Sequence, residues 1–502
     1  MRAVTAAQMR AIDAAAVARD GEIALMRSAG AAIARVVPHY RQDGPLVALT
    51  GSGNNGGDAF AALAKLDGRR IAYYDPAVRE SAARGDARKR ARAAGVELRA
   101  YPVRREDLAD AGLLLDGLLG VNARLPLDAA TAERVAAMNA SGVPILALDI
   151  ATGCDPTTGA LDDPHVRAVA TIALGRPKRG SFLDPGRSAT GDPWCAPIGM
   201  RDDDAPHAGD DTYVLTPGGF DALRPRRAGD DDKRSSGAPL VIAGSEQFPG
   251  AGVLCALGAA RSGAGYVTVA APAAAAAALR AHLVEQVVVT YDDTDPGAAI
   301  ATILDLCNHC GSIAIGPGLA LTDAMGEIVR GVIAATTLPV VADASALFHL
   351  TKHLSEVAHQ RLILTPHAGE FARISGKGTV EPEHRLDRLR DFVATYGITT
   401  LLKGPVTLIA DRTAVHLNPT GTPALATAGT GDVLTGIIAT LLAQGLSPLD
   451  AGRAGAYWHG RAAVAAAELR RVGVMASDVA AMLGVAAEVT PNDDPVCLSP
   501  RA

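Results

Sequence analysis

Aromatic residues make up only 4% of this 502-residue chain, and only two are tryptophan. A core of stacked rings is thereby excluded, and abundant alanine predicts helices and sheets that approach closely while burying less area each. No basic block occurs and the net charge is −6, so neither nucleic acid nor an anionic membrane is an expected partner. The longest uncharged apolar stretch, around Ser262 to Leu279, is mostly alanine interrupted by glycine and proline, a poor membrane span. Met1 to Thr5 lack the apolar core of a secretory signal, and a cytoplasmic location is expected. Six cysteines are too few for a disulfide framework at this length. Cys307 and Cys310 form a C-x-x-C around His309, but no second ligand pair accompanies them to complete a zinc site.

The length predicts two large domains, and 48% hydrophobic with 20% charged residues is globular. Residues 201–237 are charged and broken by proline and glycine, which puts a junction near residue 210. Residues 1–210 and 211–490 are the expected domains, with 491–502 a flexible tail. In the first, Leu46–Thr50, Arg70–Tyr74, Leu113–Leu115, Val143–Ile150 and Ala168–Leu174 are predicted strands. Helices are predicted over Ala59–Leu66 and Ala129–Asn139. In the second, strands are predicted at Leu240–Ala243, Gly265–Ala270, Ser312–Ile315, Pro339–Ala342, Leu362–Leu364 and Thr399–Leu402. A hairpin follows over Thr407–Ala410 and Ala414–Leu417. The alternation predicts an α/β fold with a mostly parallel sheet in each domain and ligands at the carboxyl ends of the strands.

Gly429-Thr430-Gly431-Asp432 opens an apolar helical stretch. Glycine N–H groups at a helix N-terminus attract an anion, and Asp432 among them can take a proton from a hydroxyl. That pairing suits phosphoryl transfer to an alcohol, although Asp432 could also be a plain helix cap. Four more strand ends carry chemistry: Gly316-Pro317-Gly318, Asp343-Ala344-Ser345, Thr365-Pro366-His367 and Lys403-Gly404-Pro405-Val406-Thr407. Lys403 can neutralise phosphate, Thr407 can donate a hydrogen bond, and His367 can orient or protonate a substrate.

The first half has its own constellation. Gly51-Ser52-Gly53-Asn54-Asn55-Gly56-Gly57-Asp58 sits between a predicted strand and helix and contains a G-x-G-x-x-G. A plain dinucleotide turn needs no amide pair and carboxylate; these hard oxygen groups suit a cation or ribose hydroxyls. Asp116 to Asn122 and Asp149 to Gly153 end two further strands and converge on the same place.

These motifs resemble both halves of the bifunctional NAD(P)H-hydrate repair enzyme family. Residues 1–210, including Leu25-Met26 and Ala29-Gly30, resemble its NAD(P)HX epimerase domain, which implies a Rossmann-like fold. The resemblance implies that Asn54, Asn55, Gly56, Gly57 and Asp58 contact the hydrate, with Gly120, Val121, Asn122, Ala123, Arg124, Leu125, Pro126 and Asp149. It implies that Asn55, Asp116 and Thr152 hold potassium. The stretch from Val214 to Gly484, with Pro249-Gly250-Ala251 and Arg261 to Gly265, resembles the ADP/ATP-dependent NAD(P)HX dehydratase, which implies a ribokinase-like fold. There Ala251, Gly318, His367 and Asp432 would bind the hydrate, and Lys403, Gly404, Pro405, Val406, Thr407 and Gly431 the nucleotide. Asp432 would be the catalytic base, with magnesium and ADP, or else ATP, as phosphoryl donor. NADHX and NADPHX are the implied substrates, and a homo-oligomer is expected.

This sequence departs from the family pattern at several positions. Arg27-Ser28 replaces Glu-Asn, setting a base near the expected mouth of the first site, and Ala151-Thr152 replaces Pro-Ser but keeps a hydroxyl. Ser345 stands where a second aspartate is usual, and Lys233-Arg234-Ser235-Ser236-Gly237 lacks the usual aromatic residue. Two other readings fit the motifs. One is a ribokinase-like small-molecule kinase fused to a dinucleotide-binding domain. The other is a dehydratase carrying a non-catalytic N-terminal scaffold.

Overall fold

The computed structural model describes all residues except 205, 206, 208, 227, 228, 230, 231, 360, 490–493 and 500–502. Parts of the expected connector and tail, among them Pro206, Arg227, Asp230, Pro491 and Asp493, therefore lie outside the described residues. The chain forms two compact units, residues 1–216 with 492–499, and residues 217–491 with 500–502.

The first unit contains strands β1 (Arg2–Ala3), β2 (Leu46–Thr50), β3 (Arg70–Tyr74), β4 (Glu97–Ala100), β5 (Leu113–Gly117), β6 (Ile145–Leu148), β7 (Ala170–Leu174), β8 (Asp192–Ala196) and β9 (Thr212–Val214). Its main sheet runs β8-β7-β6-β5-β2-β3-β4, all parallel. Side chains of β2 alternate between two cores. Leu46 and Ala48 join the helix Glu22–Val36 on one face, whereas Val47 and Leu49 meet Val135 and Met138 of the helix Ala129–Ser141 on the other. Burial on both faces is what a parallel sheet with crossover helices requires. Glycine makes the close approach possible: a Cβ on Gly30 would lie 2.6 Å from Cβ of Ala61 on the helix Asn54–Leu63.

Regular structure occurs within the expected junction region and tail. At Tyr213, β9 pairs antiparallel with β1, Thr212 Oγ1 donates to the Ala3 carbonyl (2.8 Å), and the unit runs on to Thr216. The tail carries a strand as well. Val496–Cys497 form a short strand antiparallel to β8, so otherwise open edge groups of β8 gain partners.

The second unit contains β10 (Pro239–Ile242), β11 (Thr268–Pro272), β12 (Val287–Tyr291), β13 (Ser312–Ile315), β14 (Val340–Ala342), β15 (Leu362–Leu364), β16 (Thr399–Leu402), β17 (Leu408–Ala410) and β18 (Val415–Leu417). They run β18-β17-β16-β15-β14-β13-β10-β11-β12, parallel from β12 to β16, with the β16–β17–β18 end antiparallel. The last element of the first unit is β19 (Val496–Cys497). Both units are α/β, as the strand–helix alternation predicts. Among the described residues no helix is long and apolar enough to cross a membrane.

Candidate active sites

Strand order reverses between β2 and β5 in the first unit, and a crevice opens at their carboxyl ends. The chain leaving β2 lies so close to the next loop that a Cβ on Gly51 would stand 1.8 Å from the Leu118 carbonyl oxygen. Asn55 ties three strand ends together, its amide nitrogen donating to the carbonyls of Leu119 (2.7 Å) and Leu148 (3.1 Å). Two carbonyl acceptors fix which way the amide faces, so its Oδ1 is left buried with no hydrogen-bond partner. Asp116 is fully buried and accepts from Leu118 N (3.2 Å), Thr152 N (2.8 Å) and Thr152 Oγ1 (2.7 Å). Burial outweighs these bonds and pushes its carboxyl up to about 6.

Asp149 sits in the left-handed region at φ 67, a costly conformation for an aspartate and one that concentrates at functional sites. Its carboxylate accepts from Val121 N and Leu174 N (both 3.2 Å) and pairs with the ammonium of Lys178. Lys178 is completely buried and also donates to the Leu174 carbonyl (2.8 Å). Asn54, Asn55, Asp58, Gly120 to Ala123 and Asp149 line one cavity of about 680 Å³, together with Lys178 and Asp13. That volume lies within the roughly 300–1,000 Å³ range of small-molecule sites. Desolvation holds Asp58 well above the usual carboxylate range and, despite Lys178 nearby, lifts Asp13 to about 6.

Other expected residues lie elsewhere. A Cβ on Gly56 would meet the Gly51 carbonyl oxygen at 2.4 Å and one on Gly57 would meet Met26 Cε at 2.5 Å; both glycines face protein. Arg124, Leu125 and Pro126 are not among the residues that line this cavity. Arg27 does not stand at the mouth. It lies in a separate surface groove with Lys65 and Arg90, 3.4 Å from Asp86, while Glu22 and Met26 of its helix face the cavity. Sequence reasoning missed Lys178 and Asp13. The first carried a signal, a lysine four residues beyond the strand end at Leu174; the second, on the helix Ala6–Asp20, carried none.

In the second unit, Asp432 stands in the first turn of the helix Thr430–Ala443, capped by Gly429 at φ 90. First-turn N–H groups lack intrahelical acceptors and point the positive end of the helix at this place. The helix is seated against Pro249–Arg261, where a Cβ on Gly258 would lie 2.4 Å from the Val433 carbonyl oxygen. Lys403 Nζ donates to Asp343 Oδ1 (2.7 Å), and Thr435 Oγ1 donates to Asp343 Oδ2 (2.8 Å). A Cβ on Gly431 would be 3.4 Å from Lys403 Nζ, so the glycine loop and the lysine face each other directly. Burial, then the negative charge of Asp343, raises the Asp432 carboxyl to about 7 against the pull of Lys403. Burial works against the charge on Lys403, but Asp343 and Glu370 outweigh it and keep its pKa above the usual lysine value.

Gly318, at φ 67, lies beside the other expected hydrate residue: its Cβ would be 2.8 Å from that of Ala251. His367 caps the helix Ala368–Ser375, its Nδ1 accepting from Gly369 N (3.0 Å) and Glu370 N (3.3 Å), while Nε2 of the exposed ring lies 3.5 Å from Glu370 Oε1. The loop Lys403 to Thr407 rests on Arg385, whose guanidinium donates to the carbonyls of Leu402 (3.3 Å) and Lys403 (3.1 Å). Arg385 was not singled out from sequence, since it acts from a flanking helix outside any strand-end motif; Glu370, which closes the motif Thr365-Pro366-His367-Ala368-Gly369-Glu370, was given no role there.

The geometry defines a class: an α/β protein with an acidic small-molecule cavity in one unit and, in the other, a base, a lysine and a glycine-lined helix end set for phosphoryl transfer. Comparison with known proteins is specific. A family model described as NAD(P)H-hydrate dehydratase matches residues 239–483, and one described as YjeF-related protein N-terminus matches residues 22–180. The bifunctional NAD(P)H-hydrate repair enzyme of Pyrobaculum aerophilum is 34% identical, covering 91% of this chain and 92% of that protein. Its counterpart in Moorella thermoacetica is 32% identical, covering 95% of each. An ADP/ATP-dependent NAD(P)H-hydrate dehydratase from Bacillus subtilis, crystallised with ATP and Mg2+, is 30% identical over 55% of this chain and 97% of its own, with a TM-score of 0.47. This chain belongs to the bifunctional NAD(P)H-hydrate repair enzyme family.

Proposed function

We propose that the chain repairs hydrated NADH and NADPH, the first unit interconverting the R and S hydrates and the second dehydrating the S hydrate at the expense of ADP or ATP. The observation that carries the reading is the facing of Asp432, Lys403 and Asp343 at a glycine-lined helix N-terminus. Asp432 takes the proton of the ring hydroxyl as that oxygen attacks the terminal phosphorus of the nucleotide. The bond from phosphorus to the nucleotide breaks, and Lys403 with the helix N–H groups holds the charge on the moving phosphoryl group. The C–O bond then breaks, phosphate leaves with the electron pair, the neighbouring carbon loses a proton, and the ring double bond returns. Hydroxide is a poor leaving group and phosphate a good one, which is why a nucleotide is consumed. A base with a pKa near 7 is well matched to this proton transfer at neutral pH.

No group of three or more His, Cys, Asp or Glu side chains set to hold a metal occurs among the described residues. That fits magnesium carried by the nucleotide phosphates with few protein ligands, where it would neutralise phosphate charge. In the first unit the buried, unpartnered Oδ1 of Asn55 together with Asp116 and Thr152 fits potassium, whose charge would face the anionic hydrate. Asn54, Asn55, Asp58, Gly120 to Ala123 and Asp149 would hold that hydrate; Lys403 to Thr407 and Gly431 would hold the nucleotide. The buried thiols of Cys154, Cys195 and Cys255, outside any disulfide, are consistent with a reducing, cytoplasmic location.

Product analysis tests the reading. One phosphate released per reduced nicotinamide restored supports it; a phosphorylated alcohol accumulating as final product would instead identify a small-molecule kinase.

A further inference from the structure

Four ionisable side chains, Asp13, Asp58, Asp149 and Lys178, face the first unit's cavity, with Arg10 and Glu22 also in its lining. They are not equivalent. Asp149 is committed, held by two backbone N–H groups and the buried ammonium of Lys178, and a carboxylate so engaged is a fixed acceptor. Asp116 is turned away into its bonds with Thr152 and Leu118. Asp58 is only 9% exposed, makes no hydrogen bond to any described residue, and presents its carboxyl to the cavity. Holding a desolvated carboxyl at a cavity wall costs stability, and such a cost is retained where it serves function.

The chemistry of the hydrate calls for one such group. Water added across an enamine double bond leaves its hydroxyl on the carbon beside the ring nitrogen, and inverting that carbon requires a bond to it to open. We propose that Asp58 is the proton-transfer residue of the epimerisation, an assignment that rests on reading the first unit as the epimerase. Neutral Asp58 gives its proton to the hydroxyl oxygen. The C–O bond breaks with its electron pair on oxygen, water departs, and the nitrogen lone pair closes a planar iminium. Water then adds to either face and returns a proton to the Asp58 carboxylate. Atoms, charge and protons balance over the cycle, and no oxidant or nucleotide is consumed. Desolvation, reinforced by Asp149, Asp13 and Glu22 against Lys178, raises the Asp58 carboxyl well above the usual carboxylate range, the direction a proton donor needs.

The test uses the full chain carrying Asp58→Asn, with pure R hydrate in water enriched in heavy oxygen. Epimerisation above the uncatalysed background should fall at least about 100-fold, the loss expected on removing a positioned acid. R-hydrate affinity should fall by far less than the rate, because the isosteric amide keeps a hydrogen-bonding group in the lining, and the melting temperature should match or exceed that of wild type, because the amide removes a desolvated carboxyl. Asp13→Asn should cost less than Asp58→Asn. Wild-type enzyme should place solvent oxygen in the hydroxyl in step with epimerisation. An unchanged rate in Asp58→Asn, a rate lost only together with R-hydrate binding, or retention of the original oxygen during wild-type turnover overturns the proposal. If the wild-type chain dehydrates S hydrate yet never converts R, the epimerase reading itself fails, and this assignment with it.

Discussion

Asp432 and its neighbours decide the chemistry of the second unit residue by residue. The base role predicts that Asp432→Asn lowers S-hydrate turnover by about 10³-fold, measured as nucleotide-dependent recovery of reduced cofactor; near-full activity would remove the assignment. Because the carboxyl is raised to about 7, kcat/KM for the S hydrate should fall as pH drops below that value, and the Asn variant should lose this limb of the profile. Stability should move the other way. A carboxyl raised in the folded state contributes stability below its unfolded pKa, and this is lost as pH rises through the folded value. Asp432→Asn should therefore gain in melting temperature over wild type between about pH 4 and 7, with a constant gap above. Lys403→Met should raise the KM for nucleotide and destabilise the unit by about 3 kcal/mol, because Asp343 would be left buried without its cation. These residues were legible in sequence, since each stands in a short strand-end motif rich in glycine. Lys178, Asp13 and Arg385 were not, because their partners are brought to them only by folding.

At the scale of elements, the helix Thr430–Ala443 positions the base, and it can do so only because its face is small. A Cβ on Gly436 would lie 2.1 Å from the Cys255 carbonyl oxygen, a backbone atom that cannot swing aside. Gly436→Ala should cost about 1–3 kcal/mol of stability in the second unit, seen as a lowered first melting transition, and should reduce dehydration while sparing epimerisation. Equal loss of both activities would contradict this picture of separate units. The strands that end in functional residues, such as Leu46–Thr50, Ser312–Ile315 and Thr399–Leu402, could be read with their full extents from sequence. Strand Glu97–Ala100 hid because its charged residues suit a sheet edge, which sequence patterning reads as loop. Strand Val287–Tyr291 lies at a sheet edge, and its β-branched run lacks the apolar–polar alternation that marks a strand in sequence. The short strands Thr212–Val214 and Val496–Cys497 fall within the expected junction region and tail; neither is long enough to carry a period of its own.

For the molecule as a whole, the two sites imply two consecutive steps carried by one chain. The departure at Arg27 and Ser28 set the first step in question from sequence alone. With Arg27 paired to Asp86 in an outer groove and Ser28 exposed, neither residue alters the lining of the cavity, and Asp149, Lys178 and Asp58 remain facing it. The missing second aspartate at Ser345 leaves the ion pair of Asp343 and Lys403 intact. The most direct measurement supplies the intact chain with mixed R and S NADHX, magnesium, potassium and ADP or ATP, and follows the near-ultraviolet absorbance of reduced nicotinamide. The account predicts full recovery, rapid for the S share and continuing through the R share faster than uncatalysed inversion allows. Recovery that stops when the S hydrate is spent would contradict the epimerase, and no recovery with either nucleotide would contradict the repair function itself.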